Sequence, residues 1–289
     1  MKLRSFVIRM ASGVSLIALL GSSSAAFAQG FSIDGDSTVT VPGTESSPWN
    51  VGGDLTVGDV GTGTLLVENG GIVSNIYGYI GKNSGSTGSV TVSGAGSQWN
   101  NSDNLYVGVS GTGTLLVENG GIVSSKNGII GSESGSTSSV TVRGAGSQWN
   151  NSGYLYVGGF GTGTLLVENS GIVSSHDGII GSNSGSTGSV TVRGAGSQWN
   201  NSVGLIVGLF GSGTLLVENS GIVSSSEGII GYLSGSTGSV TVSGTGSQWN
   251  NSGNLIVGDE GTGTLLVEMV ESYQVLTELS ATCPAAPAR

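Results

Sequence analysis

Residues 105–152 read LYVGVSGTGTLLVENGGIVSSKNGIIGSESGSTSSVTVRGAGSQWNNS. The stretch is two related halves. The first runs Leu105-x-Val107-Gly108, then GTGTLLVEN, then Gly121-Ile122-Val123-Ser124. The second runs Gly128-Ile129-Ile130-Gly131, then SGSTSSVTV, then GAGSQWN. Alignment sets Val107 against Ile130, Leu115 and Val117 against Val140 and Val142, and Val123 against Trp149. Each half holds three short apolar pairs separated by Gly, Ser or Asn. Alternation within a pair is the strand period, and the small residues between are turn formers. Three short strands in about 25 residues make one coil of a right-handed parallel β-helix, with coils stacked at about 4.8 Å.

The same unit recurs at a period of 50, marked by Trp49, Trp99, Trp149, Trp199 and Trp249, each followed by Asn. The reading is therefore all-β: a solenoid of roughly nine coils, two per repeat, about 45 Å long. A β-propeller has blades of similar length, but needs four strands and hairpin turns per unit. The split into two similar halves argues against it. Residues 51–268 form the repeat region. Residues 29–50 read as a degenerate first coil: Thr38-Val39-Thr40-Val41 matches the second half, and Pro42 and Pro48 suit a sheet edge.

Composition agrees. The 289 residues include 55 glycines, without the every-third spacing of collagen. Regular Val, Leu and Ile, with sparse charge, exclude disorder. Residues 1–28 have the form of a secretory signal peptide: Lys2, Arg4 and Arg9, the apolar run Val14–Leu20, then Ala26-Phe27-Ala28. The run falls short of the about 20 residues that span a bilayer. Cleavage would take the formal net charge from −10 to −13 by removing those three cations. So acidic a chain does not bind nucleic acid or anionic lipid through charge. The single cysteine, Cys283, leaves no internal disulfide to staple the fold.

The repeat resembles that of type V secretion (autotransporter) passengers and of some PEP-CTERM-associated surface proteins. The resemblance lies in VG-x-x-G-x-GTL-x-V-x-N-x-G, in IG-x-x-x-GS-T-G-SVTVSGAGS-x-W and in the N-S that follows. It covers residues 50–268. It implies an exported Gram-negative protein of the periplasm, cell surface or extracellular space. It does not imply one activity, since such passengers include adhesins, proteases and toxins, many of them virulence factors. Autotransporters end in an outer-membrane barrel of strands about 10 residues long, and PEP-CTERM proteins in a short sorting tail. Neither follows residue 268 in this sequence. Residues 269–289 leave the repeat in mid-strand at Met269. They read either as a short capping helix on Met269, Val270, Tyr273, Leu276 and Leu279 or as the scar of a frame change. The second reading is preferred, making the chain a truncated passenger.

Strand alternation predicts which side chains face inward. Leu65 and Val67, Val90 and Val92, and their copies should form the core, with the tryptophans also turned in. Outward, Glu118, Arg143, Glu168, Arg193 and Glu218 should form a charge ladder along the rod that fixes coil register. On the first strand Tyr79, Tyr106, Ile129, Tyr156, Ile179, Ile206, Ile229 and Ile256 should form an apolar contact stripe. The copies of Leu66 should also point out. Asn100-Asn101-Ser102 and its copies match an N-glycosylation triplet, but suit a stacked asparagine ladder better.

A catalytic site must break the repeat, because alternate coils are near-identical. The unrepeated polar residues are Asp54, Asp59, Lys82, Asp103, Lys126, Glu133, His176, Asp177, Glu227, Asp259 and Glu260. Polysaccharide-active β-helices need carboxylates close together on neighbouring coils. Lys126, His176-Asp177 and Glu227 instead fall two coils apart, about 10 Å. Turns without a repeated Asp do not suit calcium. The G-x-G clusters lack the helix and Lys of a phosphate loop. The expectation is no catalytic residue, metal, cofactor, small-molecule substrate or nucleic acid. The favoured function is an adhesin-like surface module contacting host-cell or neighbouring-cell molecules. An inert stalk or self-association module comes second, and a polysaccharide-active enzyme third.

Overall fold

The computed structural model describes residues 29–268 and the backbone of a short antiparallel pair, Ile8–Arg9 with Ser15–Leu16. The expected signal peptide and the 269–289 tail, with its candidate helix and Cys283, otherwise lie outside the described residues. Residues 29–268 form a parallel β-helix. Three strands per coil stack into three sheets of ten, ten and nine strands, every neighbouring pair parallel. Among the described residues that makes ten turns, the tenth described as far as its second strand, against the roughly nine that the repeat predicts.

The first sheet carries short strands such as Leu105–Val107 and Gly128–Ile130. The second carries the longest, such as Thr112–Glu118 and Thr137–Arg143. The third carries Ile122–Ser125 and Gln148–Asn151 and their copies. Register matches the alignment of the two halves. Val107 pairs Ile130, Leu115 pairs Val140, Val117 pairs Val142, and Val123 pairs Trp149. A slip of one residue would turn the inward residues such as Leu115, Val117, Val123 and Trp149 outward, which disfavours any other register.

The buried apolar core is continuous from Ile33 to Val242. Trp99, Trp149 and Trp199 are wholly buried. Trp49 and Trp249, in the first coil and near the last, are only partly so. Two kinds of coil alternate. One has Leu105 inside the first sheet and Val123 inside the third. The next has Gly128 and Trp149 at those places. A Cβ on Gly128 would sit 2.5 Å from Trp149 Cζ2. The glycine therefore leaves the space the indole fills, and the leucine fills the space a valine leaves. Close packing requires such volume matching within each layer. It also explains why the period is two coils rather than one.

The buried indole N–H needs an acceptor. Trp149 Nε1 donates to Ser125 Oγ at 3.3 Å, and Ser125 Oγ donates to Asn151 Oδ1 at 2.7 Å. Asn151 Nδ2 then donates to the Ser174 carbonyl at 3.2 Å. One relay thus joins three coils, and it repeats at Trp199. At Trp99 the serine's place is taken by Asn75, which accepts from Nε1 at 2.6 Å. Turns rely on left-handed backbone. Gly158 has φ 75°, and a Cβ there would collide with the Thr187 carbonyl oxygen of the next coil.

Candidate functional site

The outward faces carry the residues read as functional. On the second sheet, Arg143 stands in register between Glu118 and Glu168. Its Nε and Nη2 both reach Glu118 Oε2, at 2.8 and 2.7 Å. Arg193 does the same to Glu168, at 2.9 and 2.7 Å. Both guanidinium forks close on the preceding coil, and Glu218 receives neither. The ladder anticipated from the sequence is thus two separate pairs rather than a continuous staircase. Each guanidinium turns its Nε–Nη2 edge to the preceding coil, so both bonds go to one carboxylate. Both arginines are half-exposed, 44% and 46%, so each pair contributes only about 0.2–1 kcal/mol.

On the first sheet the stripe residues lie in one row, from Tyr79 through Tyr106, Ile129, Tyr156, Ile179, Ile206 and Ile229 to Ile256. Most of the row is half-buried, and Ile179 is only 7% exposed. Adjacent members cover one another, so the row offers less surface than a fully exposed stripe. Tyr79 stacks on Tyr106 with ring centres 5.2 Å apart and planes 10° apart, and on Tyr77 at 6.3 Å. Lys82 Nζ lies 5.0 Å over the Tyr79 ring. The Tyr106 hydroxyl accepts from Asn104 Nδ2 at 3.3 Å. The Tyr77 hydroxyl bonds to Asp103, and that contact raises its pKa above the usual value. Burial raises those of Tyr79 and Tyr156. The copies of Leu66 are half-buried in the second sheet, with Leu266 more exposed at the last coil.

Of the unrepeated polar residues, Asp54, Asp103 and Lys82 lie around Tyr77 and Tyr79, where the two carboxylates add to the rise in the tyrosine pKa values. Among the described residues, no three of His, Cys, Asp and Glu gather closely enough to hold a metal ion. Gly153 lies between Lys126 and His176 in the backbone ladder, donating to Lys126 and accepting from His176. The two side chains are therefore two coils apart, as their spacing suggests. His176 Nδ1 meets Asp177 Oδ2 at 2.6 Å on the surface, and Asp177 Oδ1 also accepts from the Gly204 N–H at 2.8 Å. The carboxylate thereby orients the imidazole and pins the next coil. Asp59 accepts from Asn83 at 2.9 Å in the same cross-coil manner.

The third sheet bears a polar trough lined by Asn101, Ser102, Ser124, Lys126 and Asn150, with a volume of about 590 Å³. Its amides do not stack on each other as an asparagine ladder would. Asn100 alternates with Ser124, whose hydroxyl donates to Asn100 Oδ1 at 3.0 Å. In the later repeats the asparagines recur every second coil with a serine between them, whereas lower down Asn75 Nδ2 donates directly to Asn101 Oδ1 on the next coil at 2.7 Å. Sequence reading also missed apolar residues at one edge: Phe160 and Phe210 are 54% and 48% exposed in turns where other coils hold Val60, Asn83, Ser110, Glu133 or Glu260. Their signal in the sequence is a departure from the repeat, Phe at the place of Val60, Ser110 and Glu260.

No known protein family and no curated protein matches the chain. Among solved structures, the crystal structure of the TibC-catalyzed hyper-glycosylated TibA fragment overlaps it at 17% identity. The overlap covers 83% of this chain and 98% of that one, with a TM-score of 0.31.

Proposed function

We propose that this chain is a non-catalytic, adhesin-like β-helical module of an exported Gram-negative surface protein of the autotransporter passenger type. It contacts molecules of a host or neighbouring cell and performs no reaction. The export and passenger assignments rest on the signal-peptide pattern and the repeat motifs. The observation that carries the contact reading is the in-register Tyr/Ile row on the first sheet, apolar on every coil from Tyr79 to Ile256. Apolar continuity over many coils on a water-facing sheet marks contact surfaces. Dispersed unrepeated carboxylates give no pair placed for acid–base chemistry, which argues against a polysaccharide-active enzyme.

Beads coated with the protein should adhere to bacterial or epithelial cells. Tyr106→Ser with Tyr156→Ser should abolish that adhesion while leaving the circular dichroism unchanged. Full adhesion by the folded double variant would refute the contact row. A second reading, an inert stalk, draws support from the internal pairing of the turn and trough polar groups. It predicts no adhesion by any variant.

A further inference from the structure

The edge where the first sheet turns into the second repeats its backbone in every coil but not its chemistry. In the lower coils this turn holds Asp59-Val60, Lys82-Asn83 and Val109-Ser110. Ascending from Glu133, the same edge carries Phe160, then Asn183, then Leu209-Phe210, then Tyr232-Leu233, then Asp259-Glu260. The backbone ladder sets these on successive coils. Phe160 N–H donates to the Ser132 carbonyl, Asn183 to Gly159, Leu209 to Gly181, Leu233 to Leu209, and Glu260 to Tyr232. Phe160 and Phe210 lie half in water, and Leu209, Tyr232 and Leu233 are half-buried beside them. Glu133 at one end and Asp259-Glu260 at the other are exposed.

Nothing in the coil requires apolar residues here. Ser110 occupies the place of Phe160 and Phe210 without disturbing the ladder. Two phenylalanines at half exposure leave on the order of 200 Å² of apolar surface in water. Exposed aromatic clusters of this kind anchor protein contacts. The flanking charge selects the occupant. No Lys or Arg lies on this edge between Glu133 and Glu260. A second copy docked edge to edge would set acid against acid, and an anionic membrane would meet the same repulsion. The structure assigns this edge as a docking site for a protein segment with aromatic or aliphatic side chains between Lys or Arg residues. It lies beyond the Tyr/Ile row, and it stands whether or not that row is an adhesive surface.

The test uses the whole chain and a labelled peptide with a Phe-Leu-Phe core between lysine pairs, read by fluorescence anisotropy. A Glu-flanked peptide with the same core is the comparison. Binding of the Lys-flanked peptide should be saturable and should weaken at least about tenfold in Phe160→Ser with Phe210→Ser. Asp259→Asn with Glu260→Gln should flatten its salt dependence. Tyr106→Ser with Tyr156→Ser should leave it intact, which separates this site from the contact row. Four results would overturn the assignment. These are no binding, equal binding of the Glu-flanked peptide, unchanged affinity in the Phe variant, and a self-association or vesicle binding that the Phe variant abolishes in its place.

Discussion

Exchanging the coil types tests the packing argument most directly. Gly128 and Trp149 share one coil, and a Cβ on Gly128 would stand 2.5 Å from Trp149 Cζ2 and 2.9 Å from Leu155 Cδ1. Gly128→Leu alone should therefore overpack the layer and cost about 1–3 kcal/mol. Trp149→Val alone removes most of a buried ring. A Trp buries about 150–250 Å², and at about 25 cal/mol/Å² the valine recovers less than half of the resulting stabilisation. The loss is then about 3 kcal/mol, within the range for large-to-small core changes. Independent effects would sum to about 4–6 kcal/mol. The double variant instead gives this coil the Leu and Val combination of its neighbours, with Leu105 and Val123 below. It should lie within about 1.5 kcal/mol of the natural protein. Urea unfolding followed by circular dichroism gives the totals. Repeat arrays do not always unfold in one step, so hydrogen exchange across 122–157 should report the local change. A double variant as unstable as the sum of the two singles would show that the glycine and the indole do not exchange volume.

Three further outcomes follow from the hydrogen-bonded and charged groups. Ser125→Ala strands the Trp149 N–H and should cost about 1–3 kcal/mol in urea unfolding, whereas Ser125→Asn should be tolerated, since Asn75 fills that role under Trp99. Arg143→Ala should change stability by less than about 1 kcal/mol, and by less still in high salt, because the Glu118 pair is exposed. Tyr79 and Tyr156 have raised pKa values because burial disfavours the phenolate. Their contribution to stability is complete below the ordinary value of 10.0 and is lost as pH rises through the raised values. Tyrosinate absorbance in the folded protein should accordingly rise at higher pH than in the urea-unfolded chain. A common titration curve would contradict it.

Coil count, strand assignment and register were largely legible, because a period-2 pattern repeated in nine or ten copies admits one pairing. Val123 against Trp149 could be read from alignment alone. The reason for that pairing could not. Gly128 and Trp149 are 21 positions apart, on different sheets, and only the closed coil brings the glycine's Cα under the indole. The Ser125 relay was hidden for the same reason, since its members lie on three different coils. The charge ladder was placed on the right strands, but side-chain geometry split it into pairs. On the contact row, alternation gave direction without accessibility. Ile179 faces outward by register and is nevertheless covered.

The two-coil alternation also sets how such a rod can change length. Each Trp layer fits between Val layers, and each serine that receives an indole N–H belongs to the coil below. Removing or adding a single coil would place two layers of one kind together and break the matching of volumes between them. Removing or adding 50 residues would restore the same seam. Unequal exchange between the near-identical copies would therefore lengthen or shorten the protein in steps of about 9.6 Å, with every join in the interior already matched.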